Sequence, residues 1–309
     1  MMSAVPLQLL DASSFPHARC MDGSPAGFYL ARNRSSPDWI FELQGGGECA
    51  SRSGCLSRAA TALGSSLHFP PSATLSFLLQ DTYANPHLRS WNRVHLPYCS
   101  QDLWTGQRTV RSRETFDYYF SGHLIVDAVL THLERHSDLG AARRIILTGE
   151  SAGGIGVWPH LDWLAQRYPR ATVVGAPIAG FYFYAHPYTG PGHTASHLAD
   201  FREAAWPGHY ALWQSFVDES CAAAFPTAPW RCLLSNSSWP YVSSRAFVSE
   251  AQSDKVVLTA HIGRPSFRAV KSALFTATGV NRRTTGCQPR RTRTGRRTCC
   301  DTSPSGRST

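Results

Sequence analysis

Apolar positions along this chain follow two rhythms. Residues 20–44 hold two short runs with strand character, "AGFYLARN" and "DWIFELQ", separated by Ser35-Ser36-Pro37-Asp38. That spacing suits a β-hairpin. "SATLSFLLQ" (72–80) reads as another strand, and "VHLPYCSQDLW" (94–104) as a short buried strand leading into a polar loop. At residues 121–136, "SGHLIVDAVLTHLERH", the rhythm lengthens. Ile125, Ala128, Val129 and Leu133 share one helical face, and Ser121 or Gly122 stands at the cap. "ARRIILTG" (142–149) is a compact β-branched run of the kind buried in parallel sheets. "SAGGIGVWPHLDWLAQRYP" continues as a helix with Pro159 as a kink point, and "ATVVGAPIAGFYF" as a further buried strand. Strand, helix, strand, helix, strand in that order predicts an α/β domain with a mostly parallel central sheet and flanking helices.

The rest of the chain divides by composition. Residues 1–19 form an N-terminal segment and 20–264 the main domain. Within it, residues 181–240, rich in aromatics, His, Pro and Gly, read as an irregular cap. "SSRAFVSEAQSD" adds a short strand and a polar loop. Residues 265–309 form a degenerate, Arg/Thr-rich tail; from 281 on it has almost no apolar content and cannot offset its ordering entropy, so a disordered tail is expected.

Charge sharpens that division. Of the net +9, residues 281–309 carry +7, which leaves +2 for the body. Affinity for nucleic acid would live in the tail, which lacks aromatic residues, so no specific nucleic-acid partner is expected. No run of 18 apolar residues occurs, so no membrane span is expected. The first 20 residues have a short apolar patch and no basic n-region, and no signal peptide is read there.

Nine cysteines are many for a cytosolic enzyme. Six lie in the body of the chain: Cys20, Cys49, Cys55, Cys99, Cys221 and Cys232. They allow three bridges and lean towards an oxidising compartment, scattered free thiols being the alternative. Pairing is open at this point, since six cysteines allow fifteen connectivities. Neither CxxC pairs nor zinc-type His/Cys spacing occurs. His193 and His197 have i,i+4 spacing, but "HTASH" holds no carboxylate and has no partner motif, so no metal site and no cofactor is expected.

Candidate chemistry centres on Gly149-Glu150-Ser151-Ala152-Gly153, a G-x-S-x-G sequence between the strand and the helix. A serine on such a turn is lifted clear of the sheet, and the small residues on either side let strand and helix approach. The amide of Ala152, at the helix start, is placed to hold an oxyanion. The alternative is a small-residue turn used only for packing. Gly45-Gly46-Gly47 follows the strand "WIFELQ" and could donate further amides, since glycine lets the backbone come close to a developing O⁻. A plain flexible loop is the alternative. A phosphate loop is disfavoured by the missing Gly-Lys-Ser/Thr ending.

Five stretches together resemble the pectin acetylesterase/Notum family of serine carboxylesterases: "CMDGSPAGFYL", "WIFELQGGGECASRSGC", "PYCSQDLWTG", "YYFSGHLIVDAVLTHL" and "ILTGESAGGIGV". They occur in the family's order, and the likeness spans about residues 20–260. The resemblance implies an α/β-hydrolase fold, secretion, no metal, no organic cofactor, and hydrolysis of an O-acyl ester such as an acetylated polysaccharide. It implies Ser151 as nucleophile, Gly46, Gly47 and Ala152 as oxyanion amides, and Asp254 as the triad acid. It also implies the bridges Cys20–Cys99, Cys49–Cys55 and Cys221–Cys232. Two departures bear on substrate: Glu48 where an aromatic is usual, and Ile178 where the family usually carries Asp.

A serine hydroxyl needs a base, and in α/β-hydrolases the histidine follows the acid. Here His261 is the only histidine after Asp254, seven residues on. A helix or strand leaving the acid loop would carry it away, so it reads as an ordinary histidine. The segment expected to supply the base is the Arg/Thr tail. The chain holds only two lysines, Lys255 and Lys271, among its 30 basic residues. That bias suggests GC-rich coding, and the residues after about 264 read as a frameshifted, intron-derived or decayed end. Three readings follow: an active carboxylesterase, an impaired relative that only binds ligand, and, weakest, a nucleic-acid binder using its tail.

Overall fold

The run Trp39-Ile40-Phe41 has no polar face, and the structure buries it on both sides. This computed structural model describes residues 4–75, 85–186, 188–191, 201–251, 254 and 256–262. The chain divides into two units, Met1–Phe267 and Arg268–Thr309, and every described residue lies in the first. The tail expected to be disordered, the cap histidines His193 and His197, and residues 76–80 of the expected strand "SATLSFLLQ" lie outside the described residues.

Eight strands form one sheet: β1 Val5–Leu9, β2 Gly27–Ala31, β3 Asp38–Leu43, β4 Ser72–Ala73, β5 Asn92–Leu96, β6 Arg144–Glu150, β7 Thr172–Ile178 and β8 Arg245–Ala246. Their spatial order is β4-β1-β2-β5-β3-β6-β7-β8. From β5 to β8 neighbours run parallel; from β4 to β5 they run antiparallel. The N-terminal segment thus contributes β1 to the sheet. The helices are α1 Arg52–Ala59, α2 Gly122–His136, α3 Ala152–Arg167, α4 Trp206–Trp213, α5 Glu219–Ala224 and α6 Ser235–Ser238. Among the described residues no helix is long and apolar enough to cross a membrane.

Alternation along the strands gives the sheet two cores. Phe41, Leu43, Leu96 and Leu147 meet Val126, Val129 and Leu130 of α2 and Leu164 of α3. Ile40 points the other way, with Tyr29, Leu75 and Trp91. Strands covered on both faces lose their alternation of polar and apolar residues, which is why β3 and β6 read as continuous apolar runs.

The hairpin expected between β2 and β3 does not form, because β5 lies between them. Asn92, fully buried at the start of β5, explains the separation. Its side-chain carbonyl accepts from the Asn33 amide at 2.8 Å, and its amide group donates to Ser36 O at 2.8 Å and Asp38 O at 3.0 Å. One side chain therefore satisfies the Ser-Ser-Pro-Asp connection and holds the two strands one strand-width apart.

The loop after β5 is polar in sequence but buried in the structure, with Ser100, Gln101 and Asp102 all 0% exposed. Asp102 accepts from Ser100 Oγ at 2.6 Å, Trp104 N at 3.1 Å and Gly122 N at 2.7 Å. The last bond puts a carboxylate on the N-terminus of α2, where unpaired N–H groups favour negative charge. Burial nevertheless pushes the Asp102 carboxyl up to about 6. Ser121 does not cap α2 with its side chain; its hydroxyl donates to Arg108 O at 3.0 Å. The α3 helix runs through Pro159 without breaking, and Arg167 near its end reaches Glu134 of α2 at 2.8 Å and also Asp127.

Disulfides join Cys20 to Cys99, Cys49 to Cys55 and Cys221 to Cys232. The first ties the segment before β2 to the end of β5. The second closes the loop between β3 and α1. The third staples the cap between α5 and the turn Pro229–Leu233. Trp206 and Trp213 of α4 are fully buried, and Trp213 Nε1 donates to Cys49 O at 3.1 Å. That bond docks the cap on the glycine loop.

Candidate active site

The site is built where β6 ends. Ser151 connects β6 to α3 with φ 55° and ψ −119°, a strained conformation for any residue with a Cβ. Its amide donates to Ile178 O at 3.0 Å, fixing the turn to the end of β7. Steric demand is visible in its neighbour two positions on. A Cβ on Gly153 would lie 1.9 Å from Leu43 O, so a larger residue would push α3 off β3.

The glycine loop crosses beside this turn. A Cβ on Gly45 would meet Glu150 O at 2.4 Å. Gly47 has φ +75°, a conformation that glycine adopts readily. Arg58 of α1 holds the loop: Nη1 donates to Gly46 O at 2.5 Å, and Nη2 lies 3.0 Å from where a Gly47 Cβ would stand. Among the described residues, the N–H groups of Gly46, Gly47 and Ala152 have no protein acceptor.

These elements enclose a cavity of about 230 Å³. Its wall includes Gly46, Gly47, Ser151 and Ala152, with Glu48 and Arg58 as charged groups. Ile155, Phe201 and Val256 supply apolar surface. Glu48 is buried, and its Oε1 lies 3.6 Å from Nδ1 of the buried His209 on α4. The cap histidine thus faces Glu48. Among the described residues, no three His, Cys, Asp or Glu side chains converge as a metal site.

Burial chiefly, and to a lesser degree the charge of Asp254, push the Tyr182 phenol up to about 12. Asp254 Oδ1 accepts from Val256 N at 2.7 Å and Val257 N at 3.0 Å. In doing so it opens the π-helical run Val256–His261, whose first residue reaches the cavity. The side chain of His261 lies outside the described residues. Glu250, on the same approach, accepts from Phe181 N at 2.5 Å.

Sequence reasoning missed Tyr182. It lies just past β7, is 5% exposed, and lines the cavity together with Ser151. The "GFYFYA" stretch signals only an aromatic cluster, and nothing in it shows which ring reaches the cavity.

A second cavity, of about 300 Å³, backs onto the same turn from the other face of the sheet. Glu42, Glu150 and His95 line it, with His95 Nδ1 2.8 Å from Glu42 Oε2. This acid–histidine pair shares its cavity with Gly45 and Glu150, whereas Ser151 lines the other.

The pectinacetylesterase family profile matches residues 2–289. The chain belongs to the pectinacetylesterase family. Palmitoleoyl-protein carboxylesterase NOTUM of Drosophila melanogaster is 33% identical over 262 residues, covering 80% of this chain and 37% of that protein. The human protein of that name is 32% identical over 249 residues, covering 78% and 49%. Pectin acetylesterase 5 of Arabidopsis thaliana is 31% identical over 182 residues, covering 58% and 42%. The chain therefore spans half or less of these curated relatives. A crystal structure of the Wnt deacylase Notum from Drosophila superposes with a TM-score of 0.73 at 31% identity, over 82% of this chain and 73% of that one. This pectinacetylesterase-family chain thus has an α/β-hydrolase-like fold, with its mixed sheet of eight strands and flanking helices.

Proposed function

We propose that this chain is a serine carboxylesterase that hydrolyses an O-acyl ester. Ser151 is the nucleophile, and the amides of Gly46, Gly47 and Ala152 hold the tetrahedral oxyanion. Asp254 is the acid that orients the base. The observation that carries this reading is the strained Ser151 turn, set in one cavity with three amide N–H groups that have no protein acceptor among the described residues. Such a serine at the start of a helix, with preorganised donors beside it, suits acyl transfer.

Glu48 and Arg58 in the wall argue for a short acyl group. A long alkyl chain packed against them would strip water from charged groups without replacing its hydrogen bonds. An acetyl ester of a polysaccharide meets that condition. Three disulfides in the folded unit support an oxidising, secretory location.

A second reading, ligand binding without turnover, is favoured by one observation. Among the described residues no histidine lines the cavity. Hydrolysis of p-nitrophenyl acetate and of acetylated pectin by the wild type and by Ser151→Ala separates the two. Turnover by the wild type that falls to background in Ser151→Ala is expected. Equal rates in both proteins would remove Ser151 from the chemistry. Binding of acetylated pectin with no turnover by the wild type would favour the second reading.

A further inference from the structure

The glycine loop is tied at both ends and by one side chain in between. Gln44 N donates to Leu96 O at 3.1 Å before the glycines, and Cys49 N to Gln101 O at 3.0 Å after them. Among the described residues, the backbone of Gly45, Gly46 and Gly47 makes one hydrogen bond, from Arg58 Nη1 to Gly46 O at 2.5 Å. Helix α1 brings Arg58 back over the loop. Its Cys55 is bridged to Cys49, and Ser51 Oγ caps its first turn by accepting from Gly54 N at 3.2 Å. The guanidinium also fills the space a side chain at 47 would need, since Nη2 stands 3.0 Å from the place of that Cβ.

The Arg58 bond decides more than the position of an oxygen. The Gly46–Gly47 peptide is trans, so its C=O and N–H point in opposite directions. Holding the Gly46 oxygen on Arg58 turns the Gly47 N–H away from Arg58, and that N–H has no protein acceptor among the described residues. The peptide needs such a holder. Gly46 has φ 155° and Gly47 φ 75°, and with no Cβ on either side the plane between them can turn over at little steric cost. Turned over, it would present an acceptor where an oxyanion needs a donor. Charge adds to direction: a cation at the oxygen end polarises the peptide and strengthens its N–H as a donor. Glu48 lines the same wall, so the two side chains together bring it no net charge.

Resting on the serine-esterase reading, we propose that Arg58 is a positioning residue of this site. Its bond to Gly46 O selects the one orientation of the Gly46–Gly47 peptide in which the Gly47 amide donates to the oxyanion. It touches neither the acyl group nor Ser151 and acts only through that peptide.

The test is Arg58→Ala on p-nitrophenyl acetate, alone and with guanidinium chloride far below denaturing concentration, sodium chloride serving as the salt control. A contact made only to the oxyanion changes kcat and leaves KM alone. The expected result is a fall in kcat of about 10²-fold at unchanged KM, partly recovered by guanidinium and not by sodium. An unchanged kcat would overturn the proposal, as would a rise in KM alone or a loss that guanidinium does not recover. Return of the rate in Arg58→Ala/Glu48→Gln would reduce the arginine to charge balance and overturn it too. Should Arg58→Ala fold poorly, Arg58→Met keeps the stem and its packing, and a wild-type kcat per folded molecule there would overturn the proposal. If the wild type does not turn over, the rate of Ser151 labelling by a fluorophosphonate replaces kcat, with the same outcomes. Full activity of Ser151→Ala would instead sink the serine-esterase reading. A wild type that neither hydrolyses the ester nor is labelled would overturn both.

Discussion

His123 Nδ1 lies 3.1 Å from His160 Nε2, in the seam between α2 and α3, with the Phe216 ring stacked 3.9 Å from that of His123. His160 Nδ1 is 2.7 Å from Gly156 O, which can only accept. His160 therefore carries its proton on Nδ1, its Nε2 accepts, and His123 donates to it. Both rings are neutral. Burial holds His160 down at about 4. Burial, then His160, then Arg167, hold His123 down at about 2. Both folded values lie below the unfolded value of about 6.5, so below that pH the unfolded chain binds more protons than the folded one. Stability is then full above about pH 6.5 and falls as the pH drops towards 4, by up to about 1.4 kcal/mol per pH unit for each ring. Asp102, raised to about 6, opposes this with one proton bound in the folded state between about pH 4 and 6. The net effect of the three groups is still acid destabilisation. Melting temperatures at pH 7, 6 and 5 should decline steadily, and His123→Phe should flatten the decline; an equally steep decline in that variant would assign it elsewhere.

Asn92→Ala should destabilise the protein by about 2–3 kcal/mol. It strips partners from the Asn33 amide and from the carbonyls of Ser36 and Asp38 in a buried setting. Asn92→Asp should also be harmful, since a carboxylate would face two carbonyls that need a donor. Urea denaturation measures both, and ester hydrolysis per folded molecule should be unchanged.

The three bridges should differ in what their loss costs. Cys20–Cys99 spans 79 residues, so replacing both with Ala should cost about 4 kcal/mol in the loop-entropy view. Cys49–Cys55 spans 6, and its loss should cost only about 2 kcal/mol. Its effect on esterase rate should be the larger one, because it holds the strand of chain just past Gly47. Paired melting and rate measurements on the two double variants would show the reverse ranking if the loop were held by Arg58 alone.

Gly153→Ala should be among the most damaging single-methyl additions in the protein. Its Cβ would sit 1.9 Å from Leu43 O, and that backbone cannot swing aside as a side chain can. A loss of about 3 kcal/mol is expected, with labelling of Ser151 by a fluorophosphonate probe slowed in whatever folds. Gly140, with nothing within 4 Å of an added Cβ, provides the control.

The elbow could be read from sequence because its causes are local. A β-branched strand, a serine with glycines two positions either side and a helical run lie within some 25 residues, and each constrains its neighbour. The placement of β5 could not be read. Nothing near "GFYLA" or "DWIFEL" shows that a third strand, about 50 residues later, will pair with both. The burial of Ser100, Gln101 and Asp102 was hidden for a related reason: polar residues normally mark surface, and only the α2 N-terminus explains why a carboxylate is wanted inside. The place of Tyr182 in the cavity wall and the Glu48–His209 contact depend on side-chain direction across the cap, which no local pattern encodes.

Inserting β5 between β2 and β3 has a consequence for how the chain is made. As it leaves the ribosome, β3 has no partner among the strands before it; both its neighbours, β5 and β6, are synthesised later. The sheet can be zipped only from contacts widely separated along the chain, and these form slowly because loop closure precedes any gain. Until β6 emerges, the apolar run Trp39-Ile40-Phe41 stands uncovered, so the nascent protein passes through a stage in which aggregation competes with folding.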